Sequence, residues 1–126
     1  MVVLDTSALL FWTLDPSRLS PQAHTAIAGA GKIVVSSISL WEIALKVKRG
    51  KINLPITVED YARRLGQVEG LEILPVDLRT WLDNINLVWE HRDPADRTIV
   101  ALAARLDCPL IASDGVIASF YRKTLW

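Results

Sequence analysis

The sequence predicts an α/β fold of three layers, in which helices cover both faces of a mainly parallel sheet of four to five strands. Short, unbroken apolar runs such as Val2-Val3-Leu4 and Ile33-Val34-Val35 are typical of strands buried on both faces. Segments with helical periodicity separate these runs, and alternating strands and helices produce a parallel sheet. The length of 126 residues fits one domain, 1–126.

The predicted strands are short, and the fifth is an edge strand at the end of the chain. They cover residues 2–4, 33–35, 72–76, 110–112 and about 124–126. Capping residues, glycines and prolines set the predicted helices at 7–14, 21–28, 38–48, 57–68, 77–88 and 93–107, with a short one after 112. Thr57 with Asp60, and Asp93 followed by Pro94, are the strongest helix starts.

Composition excludes several classes of protein. Half of the residues are apolar, which is enough for a core and not typical of disorder. No apolar run reaches the roughly 18 residues of a membrane span, and the first residues lack the features of a signal peptide. The lone Cys108 is expected to be a buried, inert thiol of a cytoplasmic protein. Fourteen basic and fourteen acidic residues cancel, so any nucleic-acid contact depends on local basic patches.

Two aspartates follow predicted strands. Asp5 comes directly after the strand at 2–4, and Asp114 follows the strand at 110–112. In parallel sheets, ligands bind outside the carboxyl ends of the strands, where the strand order reverses. Either aspartate alone is also typical of a helix cap or a turn, so neither defines a site by itself.

Glu42 lies on the predicted helix 38–48, at the edge of an apolar stripe that we expect to face the sheet. Ile38, Trp41 and Leu45 form that stripe. A partly desolvated glutamate needs a partner. Lys46, four residues later, is one candidate and a metal ion is another, so an ion pair and a ligand role both remain open.

Asp96 shares one side of its predicted helix with Ile99, Val100 and Ala103, which we expect to be buried. The other side is expected to carry Arg97, Thr98, Ala101 and Arg105. An acid at the third helical position also favours the helix N-terminus. That role needs no inward orientation, so we favour a functional role for Asp96.

These four acids are predicted to project to one edge of the sheet. Carboxylates that lie close together repel one another and raise one another's pKa values. A hard divalent cation removes this repulsion, and all-oxygen ligation suits Mg²⁺ or Mn²⁺ rather than zinc. Such a site activates water for attack on a phosphate. One or two metal ions would serve.

Four segments of the sequence resemble motifs of one family. They are Leu4-Asp5-Thr6-Ser7-Ala8, Ser39-Leu40-Trp41-Glu42-Ile43, His91-Arg92-Asp93-Pro94-Ala95-Asp96-Arg97 and Ala112-Ser113-Asp114. Read in order, they are similar to a PIN domain, and specifically to the VapC toxins of type II toxin–antitoxin systems. The resemblance covers essentially the whole chain, and the Asp-Pro-x-Asp-Arg run is its most specific part.

The resemblance implies a Mg²⁺- or Mn²⁺-dependent endoribonuclease that cleaves structured RNA and thereby inhibits translation. By motif position, Asp5, Glu42, Asp96 and Asp114 match the family's acidic quartet, with Asp5, Asp96 and Asp114 as metal ligands. Thr6 or Ser7 matches a position whose hydroxyl supports the first aspartate or a metal-bound water. Asp93 is explained by its capping role and is left out of the catalytic set.

The resemblance also implies partners. It predicts a homodimer and a cognate VapB-type antitoxin that inserts a segment into a groove near the site. Trp12 and Trp41 are candidates for lining that groove, although most of the five tryptophans are expected in the core.

Basic residues near the acids are candidates for contacts with RNA phosphates. Lys46, Lys48, Arg49 and Lys51 follow Glu42 closely, and a solvated helix end explains them equally well. Arg97 could bind a phosphate or lie on the surface. The two histidines, His24 and His91, are expected to be non-catalytic because neither has a histidine partner near the motifs.

Two other functions remain open on the residues alone. An aspartate after the first strand also begins phosphatases and phosphotransferases of the Asp-x-Asp type, although position 7 is Ser7 rather than a second aspartate. A protein-binding module without catalysis is the second alternative, and the intact set of acids argues against it. Nucleotide-binding glycine loops and the G-x-S-x-G elbow are absent from the sequence.

Overall fold

The computed structural model describes residues 1–126 and contains a five-stranded sheet with helices on both sides. The strands are β1 (Val2–Leu4), β2 (Ile33–Ser36), β3 (Leu71–Leu74), β4 (Leu110–Ile111) and β5 (Thr124–Leu125). Every neighbouring pair is parallel, in the order β3-β2-β1-β4-β5. The predicted α/β fold is therefore confirmed, and the sheet is parallel throughout.

The strand order reverses at the centre of the sheet. The chain moves outward from β1 through β2 to β3, then returns to the other side of β1 for β4 and β5. The carboxyl ends of β1 and β4 consequently flank the point where a ligand crevice forms in sheets of this type. These are the two strands that precede Asp5 and Asp114.

Seven α-helices connect the strands. They are α1 (Thr6–Leu14), α2 (Pro21–Ala28), α3 (Ser37–Lys48), α4 (Val58–Gly66), α5 (Leu78–Asn86), α6 (Pro94–Leu106) and α7 (Gly115–Phe120). A short 3₁₀ turn at Pro16–Arg18, which was not predicted, follows α1. None of the helices has the length and apolarity required to cross a membrane.

The predicted caps position the helices as expected. The Thr57 hydroxyl accepts a hydrogen bond from the Asp60 N–H at 3.1 Å, and the Asp93 carboxylate accepts one from the Asp96 N–H at 3.0 Å.

The strand predicted at 72–76 ends earlier, at Leu74. The reason is that Pro75 has no N–H for the ladder, and the Val76 N–H bonds to the Ser37 hydroxyl at 3.1 Å.

Alternate residues of the central strands pack into two separate apolar cores. Val2 and Leu4 face the core formed with α1, α2 and α4, whereas Val3 and Val34 face the core formed mainly with α6. This alternation is the two-residue period of a strand that is buried on both faces. Cys108 is buried in the second core, as predicted.

Candidate active site

Asp5 and Asp114 serve as helix caps and also lie at the edge of the sheet where the strand order reverses. The Asp5 carboxylate accepts a hydrogen bond from the Ala8 N–H at 2.8 Å, and Asp5 is only 6% exposed. The Asp114 carboxylate accepts one from the Val116 N–H at 2.8 Å. The capping role is confirmed for both, and it does not compete with a place in a site, because a cap at a strand end holds its carboxylate at the sheet edge.

Glu42 and Asp96 reach the same edge from two helices that pack against each other. Glu42 lies in the second turn of α3, and Asp96 is the third residue of α6. Both side chains are mostly buried, at 17% and 21% exposure. The structure thus brings all four predicted acids to one place.

A single cleft lined only by polar residues contains the four acids. Its lining residues are Asp5, Thr6, Ser7, Glu42, Lys46, Asp93, Asp96, Ser113 and Asp114. Thr6 and Ser7, the predicted supporting residues, are both among them. The Thr6 hydroxyl is buried and donates to the Ser39 hydroxyl at 3.0 Å, which joins the start of α1 to the helix that carries Glu42.

The environment of Asp5 disfavours its charge. The pKa of Asp5 is raised from 3.8 to about 7, and burial is the largest cause of this net shift. Repulsion from Asp96, Asp114 and Glu42 contributes to the rise, whereas the hydrogen bond from Ala8 opposes it. The three other acids therefore lie close enough to Asp5 to act on its ionisation.

Asp96 is affected in the same direction. Burial raises the pKa of Asp96 above its usual value, while a hydrogen bond from His91 lowers it. Repulsion from Asp93 and Asp114 raises it again. Two buried carboxylates with raised pKa values in one polar cleft are typical of a functional site.

The donor set fits a hard divalent cation. The cleft offers carboxylate and hydroxyl oxygens, with no cysteine or histidine among its lining residues. No group of three or more histidine, cysteine or acidic side chains forms a ready-made metal cage. Mg²⁺ commonly takes one or two protein carboxylates and keeps several waters, so an open carboxylate cleft suits it.

A basic groove adjoins the acidic cleft. Lys46 lines both, and its ammonium lies 4.0 Å from a Glu42 carboxylate oxygen. Arg49 and Lys51 line the groove beyond Lys46. Lys48 is exposed on the same helix end but does not line the groove.

The prediction that Arg97 binds a phosphate or lies on the surface was wrong. Its guanidinium is half-buried and donates to four main-chain carbonyls, those of Asn84, Leu87, Trp89 and His91, at 2.6–3.1 Å. It also donates to the Asn84 side chain at 3.3 Å. A guanidinium has five N–H groups, and five bonds within the protein leave none for a phosphate.

The predicted outer face of α6 was also partly wrong. Thr98 and Ala101 are buried, at 0% and 2% exposure, because α5 packs on that side of α6. Asn84 of α5 donates to the Thr98 hydroxyl at 2.8 Å. Helical periodicity cannot reveal this contact because both partners are polar.

The two tryptophans predicted for a groove differ. Trp41 is 55% exposed and does not face the sheet, contrary to the prediction. It lines both the basic groove and an apolar cleft formed with Ile38, Val76 and Trp81. Trp12 instead lies on α1, packs against the first core and lines neither cleft, so the structure does not support a groove role for it.

His91 was missed as a neighbour of the site. Its Nε2 lies 2.8 Å from an Asp96 carboxylate oxygen. The expectation of a non-catalytic histidine rested on the lack of a histidine partner. The available signal was the position of His91 close to the Asp93 cap in sequence, but this spacing alone does not predict the contact, because His91 lies in the loop before α6.

The parallel sheet has five strands, and the carboxylate cleft lies at the strand ends where the strand order reverses. These two features together define one class of α/β domain. The chain belongs to the PIN domain family, whose model matches residues 2–123. It is 32% identical over 114 residues to ribonuclease VapC22 of Mycobacterium tuberculosis, a match that covers 90% of this chain and 86% of that protein.

Solved structures with low sequence identity share the fold. A toxin–antitoxin complex from Klebsiella pneumoniae has a TM-score of 0.68 at 16% identity and covers 100% of this chain and 97% of that one. M. tuberculosis VapC20, a toxin that cleaves the sarcin–ricin loop, has a TM-score of 0.64 at 16% identity, with 94% of each chain covered. FitAcB from Neisseria gonorrhoeae has a TM-score of 0.64 at 18% identity, covering 97% of this chain and 94% of that one.

Proposed function

We propose that this protein is a Mg²⁺- or Mn²⁺-dependent endoribonuclease and the toxin of a type II toxin–antitoxin pair. The observation that carries the proposal is the cleft in which Asp5 is buried among three other acids. The likeness to ribonuclease VapC22 supports RNA as the substrate. The toxin role is supported by similarity to chains from toxin–antitoxin complexes.

In this proposal Asp5, Asp96 and Asp114 hold the metal ion, and Glu42 completes the catalytic set. A bound divalent ion supplies activation of water and stabilises the charge that develops on the phosphate. The caps of α1 and α7 hold Asp5 and Asp114 in place. Thr6 positions the start of α1 through its bond to Ser39, and Ser7 is exposed at the cleft.

The basic groove is the proposed path for the RNA backbone. Lys46 stands between the acids and Arg49, so a strand that follows the groove would place one phosphate at the acids and the next ones at the cations. Lys48 is proposed to contribute only long-range attraction. Exposed loops of structured RNA are the favoured targets, since their bases can be splayed away from the stack.

Two apolar surfaces support the proposed protein partners. The cleft between Trp41 and Trp81 adjoins the basic groove, with which it shares Trp41 and Pro94, and it fits an apolar segment of the antitoxin. On α5, Leu78, Leu82 and Ile85 are between 50% and 73% exposed and form a helical stripe. An uncharged stripe of this kind can pair with its own copy about a two-fold axis, which supports the homodimer.

Cleavage of cellular RNA tests the function directly. Purified antitoxin-free protein is incubated with total RNA in Mg²⁺, in Mn²⁺ and in chelator. Asp96→Asn serves as the site variant, and Asp107→Asn is its matched control because Asp107 is exposed at the far end of α6. We expect discrete fragments that require metal, persist in Asp107→Asn and disappear in Asp96→Asn.

A lack of cleavage by folded wild-type protein with either metal would favour the protein-binding alternative. A covalent phosphate on Asp5, detected by mass, would favour the phosphotransferase alternative. The partner surfaces are tested by Leu82→Glu, which is expected to convert a dimer into a monomer in light scattering.

A further inference from the structure

His91 contacts one specific oxygen of a proposed metal ligand. Its Nε2 lies 2.8 Å from Asp96 Oδ2, and the imidazole N–H is the donor when Asp96 is ionised, because an ionised carboxylate can only accept. Both side chains are mostly buried. No side chain or main-chain group of the protein donates to Oδ1 of Asp96, so the hydrogen bond to Oδ2 leaves Oδ1 free.

The His91 ring is held by a stack of aromatic side chains. Its centroid lies 4.8 Å from that of Trp89, and Trp89 stacks on Phe120 at 4.6 Å with an interplanar angle of 11°. Phe120 ends α7, the helix that Asp114 caps. The stack therefore links the partner of Asp96 to the helix of a second acid of the cleft.

Arg97 fixes the main chain that carries this stack. Its guanidinium bonds to the carbonyls of Trp89 and His91 at 2.6 and 3.0 Å. Further bonds to Asn84 and Leu87 anchor the same guanidinium to the end of α5. One side chain next to Asp96 in sequence thus holds the segment from α5 to α6 and, through it, the His91 ring.

We propose that His91 is a positioning residue that orients the Asp96 carboxylate for a divalent cation, and that Arg97 acts through His91 by holding it in place. This proposal rests on the metal-dependent function proposed above. A partner that orients a metal ligand raises affinity because the ligand is already in its binding geometry. Neither residue touches the substrate or the metal in this scheme.

Binding of Mn²⁺ alone, measured by electron paramagnetic resonance or calorimetry, tests the proposal without RNA. His91→Leu keeps an apolar side chain on Trp89 but removes the donor, and we expect Mn²⁺ to bind about 10- to 100-fold more weakly. His91→Gln retains an N–H donor and should recover most of the affinity. His24→Leu is the matched control, since His24 lies on α2 outside the cleft, and its affinity should equal that of the wild type.

The role of Arg97 is tested by Arg97→Lys, which keeps the charge but has too few donors for all four carbonyls. We expect a loss of Mn²⁺ affinity similar to that of His91→Leu, and melting in chelator reports separately on folding. Wild-type binding of Mn²⁺ with unchanged affinity in His91→Leu would overturn this proposal alone. Absence of Mn²⁺ binding by the wild-type protein would overturn it together with the proposed metal-dependent function.

Discussion

The molecule buries charge in two places, and the two are satisfied in opposite ways. At the α5–α6 junction, the Arg97 cation receives four main-chain carbonyls and one side-chain amide oxygen. At the sheet edge, the Asp5 anion receives one hydrogen bond and is surrounded by three other acids. Burial without partners is costly for an ion, whereas a fully hydrogen-bonded ion is tolerated.

This difference distinguishes a residue that stabilises the fold from a residue of the candidate site. Arg97 has every donor occupied and needs nothing from outside the protein, so its role is internal. Asp5 lacks any cation within bonding distance, and an external cation would relieve both its burial and the repulsion. The motif places Asp96 and Arg97 side by side in sequence, yet only the geometry assigns one to the cleft and the other to the scaffold.

The largest expected effect on stability comes from neutralising Asp5. Well below pH 3.8 this carboxyl is protonated in both the folded and unfolded states. Between 3.8 and about 7 the folded state keeps a proton that the unfolded chain has released, so the free energy of unfolding falls as pH rises. Asp5→Asn removes this cost, on the order of 4 kcal/mol at pH 7, and its amide oxygen still caps α1.

Urea denaturation in chelator at several pH values measures this gain. The difference between Asp5→Asn and wild type should be near zero at pH 3.5 and grow up to pH 7. Asp107→Asn, at an exposed position, should show no such growth. Equal stability of Asp5→Asn and wild type at pH 7 would mean that groups of the protein already stabilise the buried carboxylate. In that case the site would not need an external cation to relieve the cost of burial.

Replacing Arg97 should lower the free energy of unfolding, whereas Asp5→Asn should raise it. Arg97→Met keeps the aliphatic stem but leaves four carbonyls without their donor, and we expect a loss of about 3 kcal/mol. The exposed Arg92 provides the control, since Arg92→Met should change stability by less than about 0.5 kcal/mol. Denaturant midpoints measure both, and similar effects for the two variants would contradict the internal role of Arg97.

The acidic cleft could be predicted from the sequence better than the α5–α6 junction, for a physical reason. Asp5 and Asp114 could be placed because strand ends and caps are local features, and parallel strands bring their ends together. Asp96 shares a face with apolar residues, so periodicity also indicated its direction. Arg97, Thr98 and Asn84 could not be placed, because polar residues that bury one another leave no apolar pattern. His91 was missed because its contact depends on a loop held by Arg97.

A smaller effect is expected from the buried hydroxyl pair of Thr6 and Ser39. Thr6→Val leaves the Ser39 hydroxyl without this partner, which costs about 1 to 2 kcal/mol. The double variant Thr6→Val with Ser39→Ala removes both hydroxyls and should recover part of the loss. A double variant as unstable as the sum of its two single variants would indicate that the pair is not coupled.

The smallest effect is expected from Glu42→Gln, which tests whether burial or repulsion is the main cause of the raised pKa of Asp5. Burial is the largest cause of its raised pKa, and repulsion from Glu42 comes after that from Asp96 and Asp114. Glu42→Gln also removes an ion pair with Lys46 that is long, at 4.0 Å, and contributes little. We therefore expect urea denaturation at pH 7 in chelator to show a change below about 0.5 kcal/mol. A gain as large as that of Asp5→Asn would make repulsion, rather than burial, the dominant cost at the sheet edge.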